Sequence, residues 1–383
     1  MDEEYVTSTG FKIFYGAVAL GLAGVAVYCV GKSADGSGAL LIPAVLCALI
    51  AVGICANLFK RIAILTDNDV TYTCVWGSRD LEKSNIKGFR VGEKAIFIEP
   101  LQDGYKKIII RDYFSLGQSN QLIASLRAKY TDLNKVEFEE SKEEILHDNA
   151  FGATEDEREA ALKTRRQYVR VYSFGGIGLF FFNTIFPDSN VMLLVAELIY
   201  PLIGIALLAY GKGLVRLFAK KNSAYPSLFI GLLFSSLVPV IAANLDAKIL
   251  DFSNAWTPAI VVFAVMCAVL YYFAVKVAQA PLGGQVAFIL IVAAGYGFGS
   301  VLLANNLFDQ SPAQTYTATV TDRYVHNGKS TSYHIVLGEW GQNHGQENIS
   351  VSSSVYGRVA VGSQVNVKLK KGFFNIPWFY LAE

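Results

Sequence analysis

The chain has 383 residues, of which 53% are hydrophobic and only 17% charged, against about 25% charged in an ordinary soluble domain. A disordered chain is thereby excluded, and so is a wholly soluble one. The 33 Lys and Arg balance 32 Asp and Glu, which excludes a globally basic nucleic-acid binder, and five scattered cysteines exclude a disulfide scaffold.

Crossing the hydrocarbon core takes about 20 apolar residues in a helix. Seven windows predict spans: residues 11–30, 39–59, 171–186, 191–210, 226–245, 257–275 and 282–308. The first two form a hairpin (1–59) and the last five a bundle (171–308). The window 171–186 is the shortest. The first span follows an acidic start, Asp2-Glu3-Glu4, which is the wrong sign for a cleaved signal peptide. Its small residues Gly16, Ala17, Gly21 and Gly24 predict close approach of a second helix.

Lys and Arg near span ends set orientation. One set of loops holds Lys60, Arg61, Lys163, Arg165, Arg166, Arg170, Lys212, Arg216, Lys220, Lys221 and Lys276, whereas the other holds only Lys32 and Lys248. The first set is expected to be cytoplasmic. That places the N-terminus inside and, with seven spans, the C-terminus outside.

Between the hairpin and the bundle the period falls to two. Val70, Tyr72 and Cys74 alternate with Thr71, Thr73 and Val75, and residues 94–99 and 105–111 are further strand-like runs. Asp67-Asn68-Asp69, Gly77-Ser78, Gly92 and Asp103-Gly104 mark the turns. Leu122, Ile123, Leu126 and Tyr130 then recur at helical spacing. With the runs Ile62-Ala63-Ile64-Leu65-Thr66-Asp67 and Ser84-Asn85-Ile86-Lys87-Gly88-Phe89 and the helix 118–130, the segment 60–131 resembles the bacterial pleckstrin-homology-like domain. The resemblance implies a small bent sheet closed by a C-terminal helix. It implies no activity. Basic residues here, among them Lys83, Lys87, Arg90, Lys106 and Lys107, could favour an anionic membrane surface, but Asp80, Glu82, Glu93, Glu99 and Asp103 dilute them. An acidic stretch within 132–170 follows, from Glu137 to Asp148. Thr154-Glu155-Asp156-Glu157 then reads as a capping box that starts a helix through Arg158, Leu162 and Arg166.

Glu197 is the single acidic residue inside a span. A mid-membrane charge costs at least about 2.5 kcal/mol on insertion scales, so such residues face a partner or a pathway. Asn183, on the preceding span, is the candidate partner, and these two form the candidate binding site. Pro201 removes the backbone donor that would bond to the Glu197 carbonyl. Gly295-Tyr296-Gly297-Phe298-Gly299-Ser300 lacks the strand, the Lys and the soluble helix of a phosphate loop, and reads as a packing face.

Residues 312–383 return to strands, at 315–326, 331–338, 346–353, 364–370 and 377–381, with Asn327-Gly328 as a hairpin turn. Five short strands predict a small OB-like β-barrel. The stretches Val361-Gly362-Ser363-Gln364-Val365-Asn366-Val367 and Lys371-Gly372-Phe373-Phe374-Asn375-Ile376-Pro377-Trp378 are similar to small extracytoplasmic β domains that follow a bacterial transmembrane helix. His326, His334 and His344 match no metal spacing.

The fold class expected is therefore a mainly α-helical membrane protein with about seven transmembrane helices, a cytoplasmic PH-like domain and a C-terminal OB-like domain. No HExxH, GxSxG, Walker A or CxxC pattern occurs, so neither enzyme activity nor a cofactor or metal is expected. The expected function is a bacterial inner-membrane scaffold or sensor, with a small-molecule or ion transporter using Glu197 as the alternative. Expected partners are the lipid bilayer and proteins on either side, and no nucleic acid. The oligomeric state is left open.

Overall fold

The computed structural model describes residues 3–33, 40–185, 191–243, 248–279, 282–327 and 331–382. The chain divides into two units, Met1–Glu140 and Ser141–Glu383.

The first unit opens with a strand the sequence reading did not contain. β1 (Glu3–Val6) precedes the hairpin of α1 (Thr9–Ser33) and α2 (Leu41–Lys60), and pairs antiparallel with β2 (Ile62–Leu65), Val6 opposite Ile62. The helical hairpin is thus an insertion between two hydrogen-bonded neighbours of one sheet. The sheet that the sequence places after the hairpin takes its first strand from residues before it. Buried Tyr5 anchors β1, its hydroxyl 2.6 Å from Glu3 Oε2 and 3.2 Å from Ser125 Oγ. β3 (Asp69–Cys74) and β4 (Gly77–Glu82) complete a four-stranded antiparallel sheet in the order β1-β2-β3-β4. A second sheet joins β5 (Ile86–Val91), β6 (Ala95–Pro100) and β7 (Ile108–Arg111). The period-two pattern buries Ala63, Leu65, Val70 and Tyr72 from the first sheet and Phe89, Ile96, Ile98, Ile108 and Ile110 from the second. α3 (Ser119–Lys129) closes this core with Leu122 and Leu126, one helical turn apart. The acidic run forms α4 (Leu133–His147), and Arg90 pairs with Glu137 at 2.6 Å.

α1 and α2 leave many large apolar side chains exposed, including Leu20, Val27, Ile42 and Leu49, as lipid-facing helices do. Their contact is not built as expected. A Cβ on Gly16, Gly21 or Gly24 would meet open space. The buried small residues are Ala19 and Ala26 on α1 and Ala44 and Ala51 on α2, each pair seven residues apart. Spacing of seven keeps one seam facing a partner helix.

In the second unit, the capping box opens a long helix. Thr154 Oγ1 accepts from the Glu157 backbone N–H at 3.3 Å, and Glu157 Oε2 accepts from Thr154 N at 3.4 Å. One continuous helix, α5 (Glu155–Ile185), then runs from a charged first half into an apolar second half. α6 (Val191–Gly211), α7 (Phe229–Ala242), α8 (Trp256–Tyr271, continued by a π-helical segment to Val277) and α9 (Leu282–Leu307) complete the bundle.

Among the described residues, five helices are long and apolar enough to cross a membrane: α1, α2, α6, α8 with its extension, and α9. These mark a multi-pass membrane protein. The two other expected spans do not reach that length. Residues 171–185 are only the apolar half of α5, and Phe186 lies outside the described residues. α7 has 14 residues, about 21 Å at 1.5 Å per residue, against a core of about 30 Å. Of its expected window, 226–228 is not helical, and residues 244–245 lie outside the described residues.

The C-terminal strands fall close to where alternation predicts: β9 (Gln314–Asn327), β10 (Thr331–Leu337), β11 (Glu347–Val351), β12 (Gln364–Lys370) and β13 (Trp378–Leu381). Gly328 of the expected turn lies outside the described residues. A short helix, α10 (Ser353–Arg358), separates β11 from β12. The antiparallel order is β11-β10-β9-β12-β13-β8, and its edge strand β8 (Lys248–Ile249) comes from the link between α7 and α8. The long β9 pairs with β12 through its first half and with β10 through its second. The result is an open, half-barrel sheet rather than the closed barrel expected, over a core of Val320, Ile335, Leu337, Trp340, Val367 and Phe379.

The sheet is fastened to the end of α9. Buried Asn305 donates from Nδ2 to the Ile376 carbonyl at 2.9 Å and accepts from Phe374 N at 2.9 Å. Ile376 packs among Ala242, Ala255, Ala259, Val301 and Leu302 at that end of the bundle. Gly372 is required here. Its φ is +81°, and a Cβ would collide with the Ile376 carbonyl oxygen and the Asn305 carboxamide. Gly372→Ala is therefore expected to lower thermal stability by about 2 kcal/mol or more, from the left-handed backbone cost plus the displaced Asn305 bonds. Calorimetry of the detergent-purified chain checks this, and wild-type stability would refute the fastening role.

Candidate functional site

The candidate site lies where α5 and α6 cross. The two helices run antiparallel, and Gly175 of α5 makes room for Tyr200 of α6 while Gly176 lets α5 pack against α7. A Cβ on Gly175 would clash with the Tyr200 ring, and one on Gly176 would press on the Gly231 carbonyl of α7. On α6, Gly204 does the same beneath Tyr172. Tyr172 and Tyr200 stack at 5.0 Å, Tyr200 donates to the Tyr172 carbonyl at 3.0 Å, and the Tyr172 hydroxyl meets Ser235 Oγ of α7 at 3.1 Å. The two tyrosine hydroxyls are thus paired between helices, as a medium without water favours.

Beyond this layer, Asn183 and Glu197 meet. Asn183 Nδ2 donates to Glu197 Oε1 at 2.6 Å, and the two residues are 0% and 1% exposed. The expected partnership is thus present in the geometry. It leaves two acceptors over. Glu197 Oε2 and Asn183 Oδ1 are buried without a hydrogen-bond partner among the described residues. Pro201, also buried, interrupts the α6 ladder one turn later, and the Tyr296 hydroxyl of α9 donates to the Leu198 carbonyl at 2.9 Å.

α9 packs by its glycines. Gly295 and Gly299 face the α7 backbone at Ser236 and Val240, and Gly297 faces α8, where a Cβ would lie 3.1 Å from Phe263 N. This is a helix-packing face and not a phosphate loop. No family model, curated protein or solved structure matches the chain. The pleckstrin-homology-like and OB-like readings therefore have no relative to support them.

Among the described residues no group of three or more His, Cys, Asp and Glu is placed to hold a metal ion. His334 stacks on Tyr324 at 5.0 Å and bonds to Ser332. What the site can do chemically is limited. A carboxyl and a carboxamide, closed into a helix contact, can hold or pass a proton or hold a small cation, but no nucleophile and base are aligned there.

The node that sequence reasoning missed is Asp309, just past α9. Its side chain is 2% exposed. Oδ1 accepts from Ser311 N at 2.7 Å, and Oδ2 accepts from Trp378 Nε1 at 2.8 Å and Gly372 N at 3.0 Å, with Lys370 Nζ at 3.8 Å. Burial opposes its charge, but the bonds from Ser311, Trp378 and Gly372 outweigh it and hold the carboxyl below its ordinary value. An aspartate soon after a span, followed some 60 residues later by Gly372 and Trp378, carries no local pattern by which to recognise it.

Proposed function

We propose that the protein is a non-enzymatic bacterial inner-membrane scaffold or sensor. In this reading seven helices cross the membrane, a PH-like domain faces the cytoplasm with the N-terminus, and an OB-like domain lies outside. The observation that carries it is the double fastening of the C-terminal sheet: a strand borrowed from the α7–α8 link, and the Asn305 and Asp309 bonds at the end of α9. A sheet tied at two places to a helix bundle transmits position, which suits a scaffold or sensor better than a tethered module would.

Other features support the parts. α5 to α9 alternate in direction: Asn183 meets Glu197 while Arg165 meets Tyr210, and Gly295 and Gly299 follow Ser236 and Val240. Alternation favours five crossings here, and the basic residues gather in the links at one end. A four-stranded and a three-stranded sheet closed by a helix favour the PH-like reading. A long first strand shared by both halves of the sheet, with a helix between the third and fourth strands, favours the OB-like one.

The test is twofold. A C-terminal reporter active as a phosphatase outside and fluorescent inside should give the outside signal; an inside signal removes one crossing. Photo-crosslinkers placed in β4 and in β10 of the full chain in cells should each trap a specific protein. If neither does, the scaffold reading fails.

A second reading, a transporter using Glu197, draws on the two unpartnered acceptors of the Asn183–Glu197 pair. It requires Glu197-dependent flux in liposomes, and equal flux from Glu197→Gln across ions and small solutes would end it.

A further inference from the structure

The first unit holds a groove of about 860 Å³ whose two walls differ in kind. One wall is the membrane helix α2, at Ile50, Gly53 and Ile54. The other is the β3–β4 hairpin with the end of β7, and it brings Arg61, Arg79 and Arg111 against one acid, Asp112. At the hairpin tip Trp76 is 95% exposed.

The position along α2 matters. Ile50 lies ten residues before Lys60, about 15 Å along the axis. A helix of 20 residues is itself only about as long as the hydrocarbon core. The groove therefore runs from the end of α2, at Asn57 and Arg61, down to its middle at Ile50, so that one end lies at headgroup level and the other among acyl chains. An indole left in water there has no stabilising contact, whereas at the headgroup level an indole is well placed. Arginine forks match phosphate oxygens, and both Arg79 and Arg111 are exposed, Arg79 giving one Nη1 proton to the Lys107 carbonyl at 3.1 Å and keeping its other donors for a ligand. Arg61 is buried and already committed to Tyr72, Ser115 and the Arg111 carbonyl, so it contributes charge rather than free donors.

From this juxtaposition we infer that the groove seats an anionic phospholipid of the bilayer that α2 crosses. Its phosphate lies on Arg79 and Arg111, its first acyl carbons run along Ile50 and Ile54, and Trp76 sits at the interface. A free phosphate would use only the arginine wall and leave the apolar wall without purpose. A protein partner would have to share the space beside α2 with lipid.

The probe is quenching of Trp76 by brominated lipids in vesicles holding the full chain, read as wild type minus Trp76→Phe. That difference removes the other three of the four tryptophans. At low anionic fraction, brominated phosphatidylglycerol should quench the Trp76 component about fivefold more effectively than brominated phosphatidylcholine, because Arg79 and Arg111 set against Asp112 leave about one net positive charge, worth about 1 kcal/mol at an anionic surface. Arg79→Gln with Arg111→Gln should abolish the preference. So should Gly53→Phe, which fills the apolar wall from a position with open space around it and leaves the arginines in place. No quenching by either lipid, or equal quenching by both, overturns the inference. So does loss of the preference when millimolar inorganic phosphate is added, which would make the site one for a soluble anion.

Discussion

Asp309→Ala is expected to release the C-terminal sheet from the end of α9, at a cost of about 3 kcal/mol. The carboxylate is nearly sealed from solvent and accepts three N–H groups while standing near a lysine. Removing it leaves the Trp378 indole N–H and the Gly372 amide buried without an acceptor, and an unpartnered buried donor costs about 1–3 kcal/mol. The same residue gives a pH signature. Its carboxyl is held below the ordinary aspartate value, so the unfolded chain binds a proton more readily than the folded one. The stabilisation is full above the unfolded value of about 3.9 and is lost as pH falls through the lower folded value. Thermal unfolding of the wild type should therefore weaken from about pH 4 downward, relative to Asp309→Asn, which lacks the titration. Limited proteolysis should cut the variant between β9 and β13 while the helices stay intact. A variant as resistant as the wild type, with the same acid profile, would show that β8, Ile376 and the Asn305 bonds hold the sheet without Asp309.

How far the sequence revealed the fold depends on the range of the interaction. The apolar windows that match α1, α2, α6, α8 and α9 need only local composition, and β9 to β13 follow from alternation within a few residues. Glu197 stood out for a related reason: one acid in an apolar window must find a partner, and the carboxamide of Asn183 on the preceding span supplies that hydrogen bond. The misses are all non-local. β1 has four residues, too few to show a period, and its partner lies across the whole hairpin. β8 has two residues and exists only because β13 offers an edge. Gly16, Gly21 and Gly24 permit close approach of a helix, but the side of α1 that faces α2 is marked by the seven-residue spacing of its buried alanines. Asp309 looked like an ordinary polar residue after a span, and only the folded positions of Gly372 and Trp378 give it a role.

Arg61→Ala carries the second large effect, in the other unit. Arg61 follows directly after α2, is 6% exposed, and spends its donors on three elements. Nε donates to the Tyr72 hydroxyl of β3 at 3.2 Å, one terminal nitrogen to Ser115 Oγ at 2.7 Å, and the other to the Arg111 carbonyl at the end of β7. One guanidinium thus ties the foot of a membrane helix to both sheets. Without it the Tyr72 hydroxyl and the Arg111 carbonyl lose their donor, and the alanine leaves a cavity, together about 3 kcal/mol. Arg61→Lys should recover only a small part, because a single ammonium cannot span three acceptors set in a fork. Hydrogen exchange reports the outcome locally. Amides of β1 and β2, which flank the hairpin, should exchange faster in both variants, while α5 to α9 keep wild-type protection. If lysine restores full protection of β1 and β2, Arg61 acts as a charge at the membrane surface and not as the tie between helix and sheets.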